Sequence, residues 1–259
     1  MKVLLLSDPS NSHTIKWANS LVDKGVDVFL FGLSAYDPSP YHPSIKIESL
    51  NTPNSIKQKL NGNFLKSIYL LKLPQLKKII RSFKPDIVHS HYASSYGLLG
   101  ALSGFHPFIV SVWGIDVYIF PNISFIHKFI TKYVLNKAEI ICSSSNTMAE
   151  ETKKFTNNKV RVIPFGIDIN TFKPANVKSL FSDDSIVIGT VKHLEYKYGL
   201  EYLIKAFLLL VKKYPDFPIK LLIVGGGSMK NQLQALLKEL GIEDKTIFTG
   251  AVEHSSIAK

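Results

Sequence analysis

At 259 residues, 46% of them hydrophobic and 20% charged, the chain is long enough to bury more than one core and too apolar to be disordered. A single cysteine, Cys142, excludes an internal disulfide and any multi-cysteine metal site, and fits a reducing compartment. The net charge of +11 calls for an anionic partner; with no helix-turn-helix, zinc-finger or aromatic RNA-binding signature, nucleic acid is set aside in favour of an anionic membrane surface.

The first apolar run, Lys2 to Leu6, is too short for a signal peptide or a membrane span, and no later run is long enough, so the expected location is the cytoplasm or the cytoplasmic face of a membrane. A helix is expected from Ser12, with Ile15, Ala18, Leu21 and Val22 on one face and a stop at Gly25. A dinucleotide site would need glycines in the turn before it and an acidic residue closing the next strand. That turn reads Asp8-Pro9-Ser10-Asn11-Ser12-His13 and the strand closes in Phe31-Gly32, which rejects a nicotinamide or flavin cofactor.

Further strands are expected at Val26–Phe31, Ile45–Glu48, Asp86–His89, Pro107–Val112, Glu139–Cys142 and Val160–Ile163. Several are apolar at consecutive positions, which suits strands buried on both faces of a parallel sheet. Alternation with helical stretches predicts a doubly wound α/β domain. Between them, Tyr36–Pro43 reads as a proline-rich loop, and Asn61–Lys84 as a basic amphipathic stretch broken or kinked at Pro74. The latter either lies on anionic lipid or packs as an ordinary surface helix.

His13, His91 and Asp116 fall directly after expected strands and so share one rim of the sheet. Each has an ordinary alternative as a hydrogen-bonded structural residue or a turn cap. His89 and His91 share a strand face, but no third ligand follows at zinc spacing, so no metal is expected. Ser143-Ser144-Ser145 lacks the glycines of a nucleophile elbow and reads as the cap of a helix from Thr147 to Phe155.

The most informative stretch is Ile186 to Ser228. A strand, Ile186–Val191, runs into the basic loop Lys192-His193-Leu194-Glu195-Tyr196-Lys197-Tyr198-Gly199; an amphipathic helix and a second strand, Lys220–Val224, lead to Gly225-Gly226-Gly227-Ser228. Cations past a strand's carboxyl end, beside a glycine loop that opens a helix, suit a pyrophosphate. Either loop alone is better explained by a tight turn or solvated lysines; two in one βαβ unit favour the anion site.

Val191–Gly199, Leu203-Ile204-x-Ala206-Phe207, Leu222-Ile223-Val224-Gly225-x-Gly227, Phe248–Val252 and Val160–Asp168 with Phe172-Lys173-Pro174 resemble the retaining group 1 (family 4-like) glycosyltransferases of the GT-B fold. The resemblance implies an α/β chain of two Rossmann-like doubly wound domains, an acceptor-side domain over 1–172 and a nucleotide-sugar domain over 186–259, joined by a linker over 173–185. It implies a donor diphosphate held by Lys192, His193, Lys197, Gly225, Gly226 and Gly227, and a base beside Val252. His193 and Tyr198 stand where the family has its Arg and Lys, with Lys192 and Lys197 each one residue earlier.

In the first domain His89-Ser90-His91-Tyr92 and Trp113-Gly114-Ile115-Asp116-Val117 are similar to family segments, with Trp113 replacing a histidine. This implies catalytic roles for His91 and Asp116 and acceptor contacts at His13 and Trp113, without metal or cofactor. The implied reaction moves a sugar from a nucleotide-sugar donor to a glycan or lipid-linked acceptor in cell-surface polysaccharide synthesis. The family's glutamate-rich segment, expected after Lys259, is not in the sequence, so the second domain is expected to be incomplete. The alternatives are half of a split enzyme completed by a separate chain, or a truncated, non-catalytic, membrane-associated binding protein.

Overall fold

The computed structural model describes residues 1–50, 64–174, 185–253 and 256–258. Two compact units divide between Phe165 and Gly166. Most of the expected linker, 175–184, lies outside the described residues, as do 61–63 and the side chains of Leu65 and Lys66 in the expected basic stretch.

The first unit runs β1 (Lys2–Leu6), α1 (Ser12–Asp23), β2 (Asp27–Gly32), β3 (Lys46–Ser49), a 3₁₀ stretch (Phe64–Lys72), α2 (Leu73–Phe83), β4 (Ile87–His91) and α3 (Ser95–Ser103). It continues through β5 (Phe108–Val112), α4 (Ile115–Tyr118), a 3₁₀ turn (Phe120–Asn122), α5 (Phe125–Lys137), β6 (Ile140–Ser143), α6 (Asn146–Lys153) and β7 (Val160–Val162). Among the described residues these strands form one parallel sheet in the order β3-β2-β1-β4-β5-β6-β7. Alternation along β1 sends Val3 and Leu5 into one core with Val28, Leu30 and Ala18 of α1. Leu4 and Leu6 enter the other, with Phe31, Val88 and Leu76 of α2. Both faces are therefore covered, which is why the strand reads as an unbroken apolar run.

Pro74 marks the join of two helical segments, one of the two outcomes expected. It sits in the first turn of α2, where its missing N–H costs no intrahelical bond, and the chain before it is 3₁₀. Helix α6 spans Asn146–Lys153 behind the side chain of Ser145, which accepts a hydrogen bond from the Met148 N–H at 3.2 Å.

The second unit runs β8 (Ile186–Val191), α7 (Leu200–Lys213), β9 (Ile219–Val224), α8 (Lys230–Glu239) and β10 (Thr246–Gly250). Its parallel sheet has the order β10-β9-β8. Both crossovers run in one direction, so α7 and α8 lie on the same face. Ile204, Phe207, Leu233 and Leu237 there enclose the alternate β9 residues Ile219, Leu221 and Ile223.

Candidate functional site

In the first unit the connections reverse direction between β1 and β4, and the carboxyl ends of those strands open the crevice where ligands of parallel sheets are held. Ser7 follows β1. His91 ends β4 rather than following it, because the ladder with β5 continues to Ser111, two residues beyond the expected strand end. His91 Nδ1 lies 2.8 Å from Ser7 Oγ, which lies 2.6 Å from Thr14 Oγ1 on α1. The imidazole is fully buried, and its Nε2 has no hydrogen-bond partner among the described residues.

What covers His91 is aromatic. The Trp113 ring lies 4.4 Å from it, tilted 32°, and His89 lies 4.8 Å away on the same strand face. Outside them His13, exposed in the first turn of α1, stacks on Phe165 at 4.1 Å and meets Trp113 edge-on at 5.7 Å. The two residues expected to touch acceptor are thus brought together, with Phe165 as a third wall that sequence reasoning missed. A small recess beside them, lined by Trp17, Ser111, Trp113, Ser143 and Phe165 among others, has room for about one water molecule. Cys142 lines its floor, and burial pushes its thiol up, away from a reactive thiolate.

Burial and the neighbouring His89 and His13 hold His91 well below the ordinary histidine range, and burial alone takes His89 down to about 4. His89 is also committed locally, its Nε2 lying 2.8 Å from Ser111 Oγ. A histidine depressed on folding binds fewer protons in the native state than in the unfolded one. Its stability contribution is therefore whole above the unfolded value near 6.5 and lost as pH falls towards 4. Acidification from about pH 7 to about pH 4 should cost the first unit about 3 kcal/mol through His89 alone. Urea unfolding across that range is the check. H89N, which keeps a polar contact to Ser111 without a titrating ring, should flatten the profile; an unchanged midpoint in the parent chain would refute it.

Asp116 is also fully inside. Its Oδ1 accepts from the N–H groups of Trp113 at 3.1 Å and Gly114 at 2.8 Å, and its Oδ2 from Ala93 N–H at 2.8 Å. Burial raises its pKa and the backbone donors oppose the rise. The carboxylate thus ties the loop after β5 to the loop after β4.

In the second unit three loops meet at one rim. The amides of Lys192 and Leu194 donate to Val224 and Gly226 carbonyls at 2.9 and 3.0 Å, Met229 N–H donates to Leu194 at 2.9 Å, and Gly225 N–H to Gly250 at 2.8 Å. The packing is close enough to dictate glycine. A Cβ on Gly225 would lie 1.9 Å from the Lys192 carbonyl oxygen, and one on Gly227 2.4 Å from that of Leu194, both at positive φ.

The expected bare amides are partly spoken for, since Ser228 N–H and Oγ bond Glu195 at 3.1 and 2.8 Å, holding that carboxyl below its usual range. The Gly226 and Gly227 amides have no partner among the described residues. Lys192 and Lys197 approach the same Tyr198 ring, their Nζ atoms 4.4 and 4.9 Å from its centroid. His193 is exposed on the same loop, and Val252, 37% exposed, lies two residues beyond β10. Tyr198 is adjacent to Lys197 in the sequence, but that its ring also gathers Lys192 had no local signal, and neither had the Glu195–Ser228 contact.

A family model described as Glycosyl transferase 4-like matches residues 2–145, and one described as Glycosyl transferases group 1 matches 172–259. An uncharacterized glycosyltransferase of Methanocaldococcus jannaschii is 27% identical over 197 residues, covering 68% of this chain and 48% of that protein. The chain thus spans about half the length of that curated relative. The sucrose-phosphate synthase structure from Thermosynechococcus elongatus is similar in fold at a TM-score of 0.74 and 14% identity, covering 100% of this chain and 72% of that one. Anabaena HepE, solved with UDP and glucose, gives a TM-score of 0.69 at 17% identity, covering 98% and 70%.

Proposed function

Because the chain belongs to the group 1, 4-like glycosyltransferases of the GT-B fold, we propose that it takes part in moving a sugar from a nucleotide-sugar donor to a glycan or lipid-linked acceptor. The observation that carries the reading is the convergence of the loops after β8, β9 and β10, the first carrying two lysine ammoniums gathered on Tyr198 and the second the Gly226 and Gly227 amides, which have no partner among the described residues. As the bond from sugar to diphosphate breaks, negative charge builds on the leaving group and positive charge on the sugar ring. Lys192 and Lys197 would offset the first, with His193 and the loop amides completing the cradle and no metal required; Val252 would flank the base. Retention of configuration, a role in surface polysaccharide synthesis and a place at the cytoplasmic side follow from the family reading.

On the first unit, His13, Trp113 and Phe165 supply flat apolar faces of the kind that stack on sugar rings. Asp116 acts there by fixing the Trp113 and Gly114 backbone. His91, joined to Ser7, has one ring nitrogen with no partner among the described residues, and that nitrogen is the one that would share a proton with an acceptor group.

Titration calorimetry with UDP, GDP and their sugar conjugates tests the donor half. K192A/K197A should lose nucleoside diphosphate affinity by about a hundredfold, as expected for two charge-assisted contacts. Unchanged affinity in that variant would overturn the assignment.

A further inference from the structure

The surface formed by α4, the Phe120–Asn122 turn and the start of α5 is apolar where water should have made it polar. Phe125 is 83% exposed and Phe129, one helical turn on, 69%; Ile119 and Ile123 before them are 54% and 43% exposed. The turn packs against both helices, with the Phe120 and His127 rings 4.8 Å apart, so the exposed side chains are carried on elements held together as one packed segment. Scattered exposed apolar residues are ordinary, but a cluster holding two nearly bare phenylalanines is not. Helix α5 already has a buried face, made of His127, Thr131, Val134 and Leu135, so the phenylalanine face is a second one.

The charges carried by the 117–138 stretch itself have one sign, while the acidic residues of the neighbouring α6, Glu150 and Glu151, are paired with Lys153 and Lys154. Between Asp116, which is buried, and Glu139 the sequence has no acidic residue, while Lys128 and Lys132 are exposed on α5 beside the phenylalanines. We infer that this face docks on a bilayer carrying anionic phospholipid, with Phe125 and Phe129 immersed at the acyl boundary and Lys128 and Lys132 among the headgroup phosphates. A second copy of the chain would bring like charges together. A protruding side chain also enters a deformable medium without needing a preformed socket. This places a membrane contact at 115–132, apart from the basic stretch Asn61–Lys84 for which lipid contact and ordinary helix packing were both expected.

Co-sedimentation with vesicles tests this independently of sugar transfer. The chain should pellet with phosphatidylcholine vesicles containing phosphatidylglycerol and stay in solution with phosphatidylcholine alone. F125S/F129S alters only exposed side chains and should weaken association about tenfold or more, with nucleoside diphosphate affinity unchanged. K128Q/K132Q should weaken it about thirtyfold, and only on anionic vesicles. Tryptophan emission from F125W should shift to the blue and be quenched by brominated lipid. Equal behaviour on the two vesicle types, or association untouched by both double variants, overturns the inference. Self-association in the centrifuge that F125S/F129S abolishes, with no vesicle binding, would assign the face to a second copy instead.

Discussion

Alanine at position 225 is expected to abolish nucleoside diphosphate binding and to lower the stability of the second unit by roughly 3 kcal/mol, from strained backbone and forced overlap together. Gly225 has φ +147, and its added Cβ would sit 1.9 Å from the Lys192 carbonyl oxygen and 2.9 Å from the carbonyl carbon. Both are backbone, so the relief available to a flexible side chain does not exist. The chain must instead part β8's basic loop from the glycine loop, breaking the Leu194-to-Gly226 and Met229-to-Leu194 hydrogen bonds that hold them. Gly241 provides the control, for it too has positive φ, +67, but nothing within 4 Å of its added Cβ. G241A should cost about 1 kcal/mol and leave binding intact. Denaturant unfolding and calorimetry on the two variants separate strain from collision, and a G225A protein that binds like the parent would show that the loops need not touch.

Removing the carboxylate of Asp116 should be the most damaging single change in the first unit. D116A would leave the amides of Ala93, Trp113 and Gly114 without their acceptor in a fully buried place, at a cost on the order of 4 kcal/mol. Asn at this position keeps one acceptor oxygen, which can serve Trp113 and Gly114, but turns an amide donor towards the Ala93 N–H. D116N should therefore fall between parent and D116A. The measurement also tells positioning from chemistry: loss of transfer at parent-like unfolding midpoint would mean that Asp116 acts on the reacting groups, whereas parallel loss of both fits the clamp seen between the β4 and β5 loops.

Much of the architecture was legible because β-strands buried on two sides leave an unmistakable record. Lys2–Leu6 and the glycine loop after Lys220–Val224 could be placed from residue order alone, since apolar runs and glycine punctuation are local properties. Strand ends were less legible. His91 belongs to β4 because a neighbouring strand continues the ladder there, and pairing with a distant segment has no local signature. Which of the two expected effects Pro74 has stayed open for a related reason, because a proline that separates two helices and one that bends a single helix look alike until the preceding segment is seen to be 3₁₀.

The candidate sites divide along the same line. The residue types for holding a diphosphate, cations and glycines at the ends of two parallel strands, are written in the sequence with their spacing. That Tyr198 gathers both lysines, that Glu195 occupies the Ser228 amide, and that Phe165 joins His13 and Trp113 were decided in three dimensions. So was the face of Phe125 and Phe129, whose composition matches a core segment and whose meaning changes only with exposure. Local sequence determines which backbone forms and which chemistry is carried; whether a side chain ends paired, buried or bare depends on what the rest of the chain brings against it, and that is a property of the packed fold.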